Sequence, residues 1–180
     1  MDVIEDIYEG DNNYRYILGR SPLFILGINP SSAEPGFPDP TIRFIERNFD
    51  SWIMLNIYPQ RTSNSKNLAP ESEFDQKKHE ENTKLIINCI EKYSGKTTKI
   101  VAAWGDSIKE RHYLFSCLYD LILVIKNKRK EVKWYRIGEL TKNGNPKHPA
   151  YYLRKGESNI KDYLIQFSID EYLEIKKKYI

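Results

Sequence analysis

Two asparagines and one histidine are the side chains of this sequence best suited to chemistry on a small polar molecule. Asn29 directly follows an apolar run, Asn56 lies near the end of a second one, and His148 lies in a loop rich in Gly, Asn and Pro. An asparagine amide offers one acceptor and two donors, with which it can position a water molecule or read the edge of a pyrimidine. A neutral imidazole can donate a hydrogen bond to an oxygen on which negative charge develops.

Each of these side chains also has an ordinary structural explanation. Gly-Ile-Asn-Pro is a common exit from a strand, because Gly bends freely and Asn before Pro favours a turn. Asn56 can cap its own turn, and a single histidine in a loop is unremarkable. The chemical interpretation therefore depends on whether Asn29, Asn56 and His148 share one cavity.

The surrounding sequence predicts an α/β fold that brings them to one place. Strands are predicted at residues 14–18, 23–28, 52–58, 99–104 and 132–137, and helices at residues 40–49, 73–93, 107–125 and 160–179. This alternation favours a three-layer α/β/α sandwich with a central, mainly parallel four-stranded sheet, formed as a single domain over residues 1–180. Ligands bind beyond the carboxyl ends of such strands, where Asn29, Asn56, Trp104–Gly105 and the His148 loop are expected along one rim.

The charge distribution indicates an anionic partner. Net charge is +3, but residues 126–155 hold ten Lys and Arg against two Glu. Trp134, Tyr135, Tyr151 and Tyr152 are interleaved with these cations, which suits phosphates and stacked bases and predicts a nucleic acid as the partner. A solvated loop and sheet edge would also carry lysines.

Other classes of protein are disfavoured. Cys89 and Cys117 fall in apolar helical patterns and are expected to be core thiols, and the three histidines lack metal-ligand spacing, so neither a metal nor a cofactor is predicted. The sequence contains no apolar run of the roughly 20 residues that a membrane helix needs. The acidic start does not resemble a signal peptide. We therefore expect a cytoplasmic monomer with no membrane partner.

Several short motifs, taken together, resemble those of the uracil-DNA glycosylase superfamily, and more closely its mismatch-specific branch. They are Gly27-Ile28-Asn29-Pro30, Gly36-Phe37-Pro38, Arg43-Phe44, Met54-Leu55-Asn56, Ala103-Trp104-Gly105 and His148-Pro149-Ala150. The chain is also similar to an uncharacterised bacterial and phage family, the domain of unknown function DUF1643. That similarity is carried by residues 27–33, 39–41, 102–105 and 144–149 and spans roughly residues 14–153.

The glycosylase resemblance implies base excision, in which a nucleotide is flipped from DNA into a pocket. Phe44 or Phe37 would stack on the base, Asn56 would read its edge, His148 would stabilise the departing pyrimidine anion and Asn29 would position water. The pocket would also include Gly27, Ile28, Pro30, Ser31, Trp104 and Gly105. DNA would be contacted by Lys147, Pro149, Tyr151, Tyr152, Leu153, Arg154 and Lys155.

Two departures from the superfamily pattern leave the activity open. Asn29 stands where the most active branch has an Asp, and a neutral amide cannot act as a general base. Ala150 replaces a Ser whose hydroxyl would contact phosphate or hold the loop. The leading hypothesis is a DNA glycosylase for uracil, a mismatched pyrimidine or a modified pyrimidine. The alternatives are a non-catalytic nucleic-acid-binding protein and an enzyme that acts on free nucleotides.

Overall fold

A seven-stranded mixed sheet forms the centre of the computed structural model, which describes residues 7–19 and 23–179. Its strands are β1 (Ile7–Gly10), β2 (Arg15–Gly19), β3 (Leu23–Gly27), β4 (Ile53–Asn56), β5 (Thr98–Ala102), β6 (Val132–Ile137) and β7 (Leu164–Gln166). Their order across the sheet is β1-β2-β4-β3-β5-β6-β7. The acidic start at residues 1–6 and residues 20–22, between the first two predicted strands, lie outside the described residues.

The four middle strands run parallel, and antiparallel strands extend both edges. β3 pairs in parallel with β4 and β5, and β5 pairs in parallel with β6. β1 and β2 add an antiparallel pair beside β4, and β7 lies antiparallel to β6. The prediction of an α/β fold is confirmed, but the predicted sheet of four strands is wrong, because the described sheet has seven. β1 and β7 are short and half-exposed, so neither has the continuous apolar run that marks the central strands.

Five α-helices accompany the described sheet: α1 (Pro40–Asn48), α2 (Gln76–Tyr93), α3 (Tyr113–Lys128), α4 (Pro149–Arg154) and α5 (Ile169–Lys176). Asp39 caps α1, because its carboxylate accepts a hydrogen bond from the backbone N–H of Ile42. The helix predicted at residues 107–125 begins later, after a 3₁₀ turn over Gly105–Lys109. The helix predicted at residues 160–179 is wrong in its first half, where β7 precedes a new N-cap at Ser168.

Alternating side chains of the central strands form a hydrophobic core on each face of the sheet. Phe24 and Leu26 of β3 face the core shared with α2 and α3, whereas Ile25 faces the core shared with α1 and α4. A strand buried on both faces needs such a continuous apolar run. The helices therefore lie in two layers, one on each side of the sheet. No described helix has both the length and the apolar character needed to cross a membrane.

Candidate functional site

A cavity of about 540 Å³ opens at the carboxyl ends of the central parallel strands. Segments that follow all four of these strands contribute to its wall: Asn29 after β3, Thr62 after β4, Trp104 after β5 and His148 after β6. The structure thus places a cavity at the rim where an open α/β sheet binds ligands. It brings together Asn29 and His148, which are distant in sequence.

Asn29 presents an acceptor to the cavity because its amide hydrogens are already used. Its Nδ2 donates to the carbonyl oxygens of Pro30 and Thr62, at 3.0 and 2.9 Å. The backbone N–H of Thr62 donates in turn to the carbonyl of Pro30 at 2.9 Å, which ties the two strand-end segments together. The Oδ1 of Asn29 has no donor among the described residues, so it can accept a hydrogen bond from a water molecule or a ligand.

His148 is held as a neutral imidazole with a defined tautomer. It is the N-cap of α4, and its Nδ1 accepts a hydrogen bond from the backbone N–H of Ala150 at 3.2 Å. Burial, followed by the nearby charge of Arg154, lowers the pKa of His148 to about 4, against a smaller opposing effect of Asp39. At neutral pH the proton therefore resides on Nε2, which can donate a hydrogen bond while the ring carries no charge.

The loop that carries His148 is fixed by hydrogen bonds to the end of β5. Gly105 adopts a left-handed backbone with φ +64°, and its N–H donates to the carbonyl of Pro146 at 2.8 Å. A Cβ at Gly105 would lie 3.5 Å from the Cβ of His148, so the turn packs directly against this histidine. Gly105 does not line the cavity but supports the residue that does.

Asp106 holds the first half of the same loop. Its carboxylate accepts hydrogen bonds from the Thr141 hydroxyl at 2.6 Å, the Asn145 amide at 2.7 Å and the Asn143 amide at 2.9 Å. Although desolvation acts to raise the pKa of Asp106, these three donors outweigh it and the pKa is lowered. The carboxylate is therefore ionised at neutral pH and accepts all three bonds.

A buried chain of hydrogen bonds links this loop to α5. The Trp104 indole N–H donates to the hydroxyl of Tyr172 at 3.0 Å, and that hydroxyl donates to the Oδ1 of Asn145 at 2.9 Å. Trp104 is 1 % exposed and its ring packs against Phe167 and Tyr172. Trp104 therefore lines the cavity and anchors the loop as well.

Asn56 is placed near the cavity but not in its lining. Asn56 is fully buried. It lies on the same face of β4 as Met54, which lines the cavity. Both polar atoms of its side chain lack a hydrogen-bond partner among the described residues. Gly27 lies opposite on β3, where a Cβ would be 3.5 Å from the Oδ1 of Asn56. An unsatisfied buried amide costs about 1–3 kcal/mol per group.

The two predicted stacking residues do not reach the cavity. Phe44 is 3 % exposed and packs in the core between α1 and the sheet, because it belongs to the buried face of α1 with Ile42 and Ile45. Phe37 is 78 % exposed in the loop before α1. Besides Trp104, the apolar part of the lining consists of Ile28, Pro40, Ile42, Met54, Ala150 and Leu153.

The remaining predicted pocket and DNA-contacting residues divide into two groups. Ile28, Ser31, Leu153 and Arg154 line the cavity, whereas Gly27, Pro30, Lys147, Pro149, Tyr151, Tyr152 and Lys155 do not. Tyr152 is buried and its hydroxyl donates to the carbonyl of Ile137 at 2.5 Å. Lys147 lies 4.6 Å from the ring centroid of Tyr151, which is 36 % exposed beside the cavity.

The basic run at residues 126–155 does not form one patch. Lys126 and Arg129 precede β6 at its amino end, where Lys126 pairs with Asp170 and Arg129 donates to the Thr98 hydroxyl. Lys147, Arg154 and Lys155 follow β6, on the side of the cavity. A strand therefore separates the two halves of the run, and fewer cations surround the cavity than the sequence indicates.

Two charged residues of the cavity wall were not predicted as site residues. Arg15 is 2 % exposed, and its Nη1 donates to the carbonyl of Ala33 at 2.8 Å. Asp39 is the N-cap of α1, its second carboxylate oxygen also accepts the hydroxyl hydrogen of Ser31, and the residue lines the cavity. The sequence did contain a signal for Arg15, because a charged residue within a predicted apolar strand is unusual and can indicate a functional site.

The cysteines and histidines of the described residues do not form a metal centre. No group of three or more His, Cys, Asp or Glu residues in the described chain is arranged to hold a metal ion. Cys89 and Cys117 are both buried, and burial raises the pKa of Cys89 to about 12. These thiols are therefore protonated core side chains at neutral pH.

Comparison with known proteins identifies a family. No curated protein and no solved structure matches the chain. A family model described as protein of unknown function (DUF1643) matches residues 15–150, a segment that begins at Arg15 and includes Asn29, Asp39 and His148. Because this match covers most of the sequence and the central cavity residues, the chain belongs to the DUF1643 family.

Proposed function

We propose that this protein is a DNA glycosylase-like enzyme that hydrolyses the N-glycosidic bond of a uracil, mismatched pyrimidine or modified pyrimidine. The observation that carries the proposal is the shared cavity of Asn29 and His148, in which the imidazole is neutral and its Nε2–H is the available donor. A flipped pyrimidine nucleotide needs a cavity of this kind at the edge of a rigid sheet.

His148 acts on the leaving group. When the bond between C1′ of the sugar and the base nitrogen breaks, the electron pair remains with the base and negative charge develops on its carbonyl oxygen. A neutral N–H donor stabilises this oxygen without binding the anion so tightly that it is retained. The hydrogen bond from Ala150 holds the imidazole in the tautomer that this role requires.

Asn29 acts on the water. Its Oδ1 accepts a hydrogen bond from a water molecule, whose oxygen attacks C1′ of the cationic sugar, and the water proton then leaves to solvent. Because the amide takes no proton, this arrangement suits a base that departs readily more than one that needs strong base catalysis. Ile28, Met54 and Leu153 supply apolar contacts, and Asn56 offers unsatisfied donors and an acceptor behind Met54.

The test is excision from labelled duplexes that carry uracil, a mismatched pyrimidine or a series of modified pyrimidines. After incubation and heating in alkali, strand breaks are expected with the wild-type protein and not with Asn29→Ala or His148→Ala. Asn88→Ala and His112→Ala are matched controls, since both residues lie outside the cavity lining. Breaks that persist in both cavity variants would contradict the assignment.

The cavity also favours a second candidate, an enzyme that acts on free nucleotides. At about 540 Å³ the cavity is large for a lone pyrimidine, and the separated basic run leaves a small surface for duplex DNA. Saturable binding of a nucleotide with no affinity for duplex DNA would support this candidate. Duplex binding that weakens steeply with salt and gives no strand breaks would instead indicate a non-catalytic DNA-binding protein.

A further inference from the structure

The guanidinium of Arg15 is a buried cation in the wall of the cavity. Arg15 is 2 % exposed, yet it lines the same cavity as Asn29 and His148. Its Nη1 donates to the carbonyl oxygen of Ala33, and its Nε has no partner among the described residues. Burial of a charge without a counter-charge is strongly unfavourable, so a partner is expected.

Neighbouring side chains do not neutralise Arg15. Burial and the adjacent guanidinium of Arg61 lower the pKa of Arg15 to about 10, and Asp39 opposes this effect. Arg61 forms an ion pair with Glu34 at 3.4 Å, whereas no carboxylate of the described residues lies within 4.0 Å of the Arg15 nitrogens. Arg15 is therefore the uncompensated member of this pair of arginines.

Asp39, the carboxylate in the cavity lining, is engaged elsewhere. One oxygen accepts from the backbone N–H of Ile42 at 2.8 Å, and the other accepts from the Ser31 hydroxyl. These bonds hold the carboxylate at the start of α1 and outside ion-pair distance of Arg15. The carboxylate offsets part of the local charge at a distance, but it does not form a direct ion pair with the guanidinium.

The remaining polar lining matches the chemistry of a phosphate group. The cavity wall includes the hydroxyl-bearing side chains of Ser32, Thr41, Ser63, Ser65 and Ser107, together with a second guanidinium from Arg154. Hydroxyl and guanidinium groups donate hydrogen bonds to phosphate oxygens, and one arginine can bind two of these oxygens at once. His148 adds no charge, because it is neutral at pH 7.

We infer that Arg15 anchors a phosphate subsite in this cavity, so that the ligand is a nucleotide bound through its phosphate as well as its base. The identity of the base rests on the proposed function, but the phosphate contact does not. Two sources supply the same group: the backbone phosphate of a nucleotide flipped from DNA, and the 5′-phosphate of a free mononucleotide.

The test compares binding of 2′-deoxyuridine 5′-monophosphate and 2′-deoxyuridine by calorimetry. The wild-type protein is expected to bind the monophosphate about tenfold more tightly or better, because a charge-assisted bidentate contact is added. Arg15→Met removes the guanidinium and is expected to make the affinities for the monophosphate and the nucleoside equal. Arg15→Lys keeps the positive charge but cannot form the bidentate contact, so its ratio of affinities should lie between those of the wild type and Arg15→Met. Arg129→Met, at the amino end of β6, is the control and should retain the wild-type ratio.

Unfolding temperature separates a ligand-binding role from a structural one. Removal of an uncompensated buried charge does not weaken the ligand-free fold, so Arg15→Met is expected to unfold at the wild-type temperature or above. The Ala33 carbonyl keeps a second donor in Arg61 at 3.4 Å. A large fall in unfolding temperature, with unchanged preference for the monophosphate, would make Arg15 a structural residue and overturn the inference.

The two phosphate sources are distinguished with an oligonucleotide that carries a neutral methylphosphonate on the 5′ side of a single deoxyuridine. If the backbone supplies the phosphate, this linkage weakens wild-type binding and leaves Arg15→Met binding unchanged. If the preference for the phosphorylated probe is seen only with the mononucleotide, the phosphate belongs to a free nucleotide. The subsite is overturned if the monophosphate binds no better than the nucleoside and the phosphate-linked oligonucleotide binds no better than the methylphosphonate. Failure of all four probes to bind also overturns it.

The proposed phosphate subsite and the proposed glycosylase activity are tested independently of each other. Phosphate discrimination without strand breaks keeps the subsite and removes the excision activity. Strand breaks without phosphate discrimination keep the excision activity and remove the subsite.

Discussion

The imidazole Nδ1 of His148 accepts a hydrogen bond from the backbone N–H of Ala150 at 3.2 Å, and this contact fixes which ring nitrogen faces the cavity as a donor. The same contact requires Nδ1 to be unprotonated. Protonation of His148 therefore breaks the N-cap of α4 and changes the charge of the cavity in one step. The titration of this residue connects the stability of the protein with the chemistry of the site.

We expect stability to fall on acidification because of His148. Its pKa of about 4 in the folded protein lies below the ordinary value of 6.5, so the unfolded chain binds the proton more tightly. The stability that the neutral form contributes is complete above about pH 6.5 and is lost as the pH falls towards 4. Each tenfold change in proton affinity is worth about 1.4 kcal/mol, so the loss is at most about 3–4 kcal/mol and smaller where solvent reaches the ring.

Urea unfolding at pH 7 and at pH 4.5 measures this effect in the wild-type protein and in His148→Gln. The variant should lose less stability between the two pH values. His79 also has a lowered pKa through burial, opposed by Asp120, and its contribution is common to both proteins. An identical pH dependence in the two proteins would show that His148 does not titrate in this range.

The Asp39 side chain should contribute to stability through the cap of α1 rather than through its charge. Asp39→Asn keeps an acceptor for the Ile42 N–H and is expected to change the free energy of unfolding little, whereas Asp39→Ala should cost about 1 kcal/mol. Asp75 caps α2 in the same way and is remote from the cavity. Asp75→Ala therefore measures the cost of losing such a cap in urea unfolding, and the excess loss in Asp39→Ala measures the bond from Ser31 and the charge near Arg15.

Asp106 should act as a positioning residue for His148. Asp106→Ala removes the acceptor of three donors in the loop, from Thr141, Asn143 and Asn145, and leaves the folded sheet intact. As the loop loosens and His148 gains water contact, its pKa should rise from about 4 towards 6.5. An NMR titration of the imidazole measures this shift, and a fall in excision or nucleotide binding should accompany it.

Asp170→Ala is the control for the Asp106 variant, since Asp170 pairs with Lys126 at the other end of the sheet. An unchanged His148 titration in Asp106→Ala would show that Gly105 and the Trp104–Tyr172 contact hold the loop without the carboxylate.

The central strands were predictable from sequence because burial on both faces demands continuous apolar runs. Residues 23–28 and 99–104 carry such runs, and both form parallel strands of the sheet. β7 was missed because its three residues pair with β6 through contacts that no local pattern records. Its half-exposed side chains fit a helix pattern equally well.

The position of a residue was predictable where chain order alone decides it. Asn29 and His148 follow parallel strands, so their presence at one rim follows from topology. The position of Phe44 was not predictable in this way, because the side of α1 on which a residue lies depends on how the helix packs, and Phe44 faces the core. Arg15 was missed because its burial depends on the Ala33 loop and Arg61, which come from other parts of the chain.

A side chain at Gly27 should affect the cavity more than the fold. A Cβ at this position would lie 2.5 Å from the terminal methyl of Met54, and Met54 lines the cavity. Gly27→Ala therefore forces this methyl to move. Because it is the far end of a flexible side chain, we expect a small loss of stability but weaker nucleotide binding.

The double variant Gly27→Ala with Met54→Ala tests this cause directly. If the clash with Met54 is responsible, the losses of nucleotide affinity caused by the two substitutions should not add, because the double variant has no Met54 methyl to displace. Gly95→Ala is the matched control, because a Cβ there meets no atom within 4 Å. Additive losses in the double variant would mean that Gly27 is required for a reason other than Met54, and the unpartnered amide of Asn56, 3.5 Å from the same Cβ, is then the side chain to examine next.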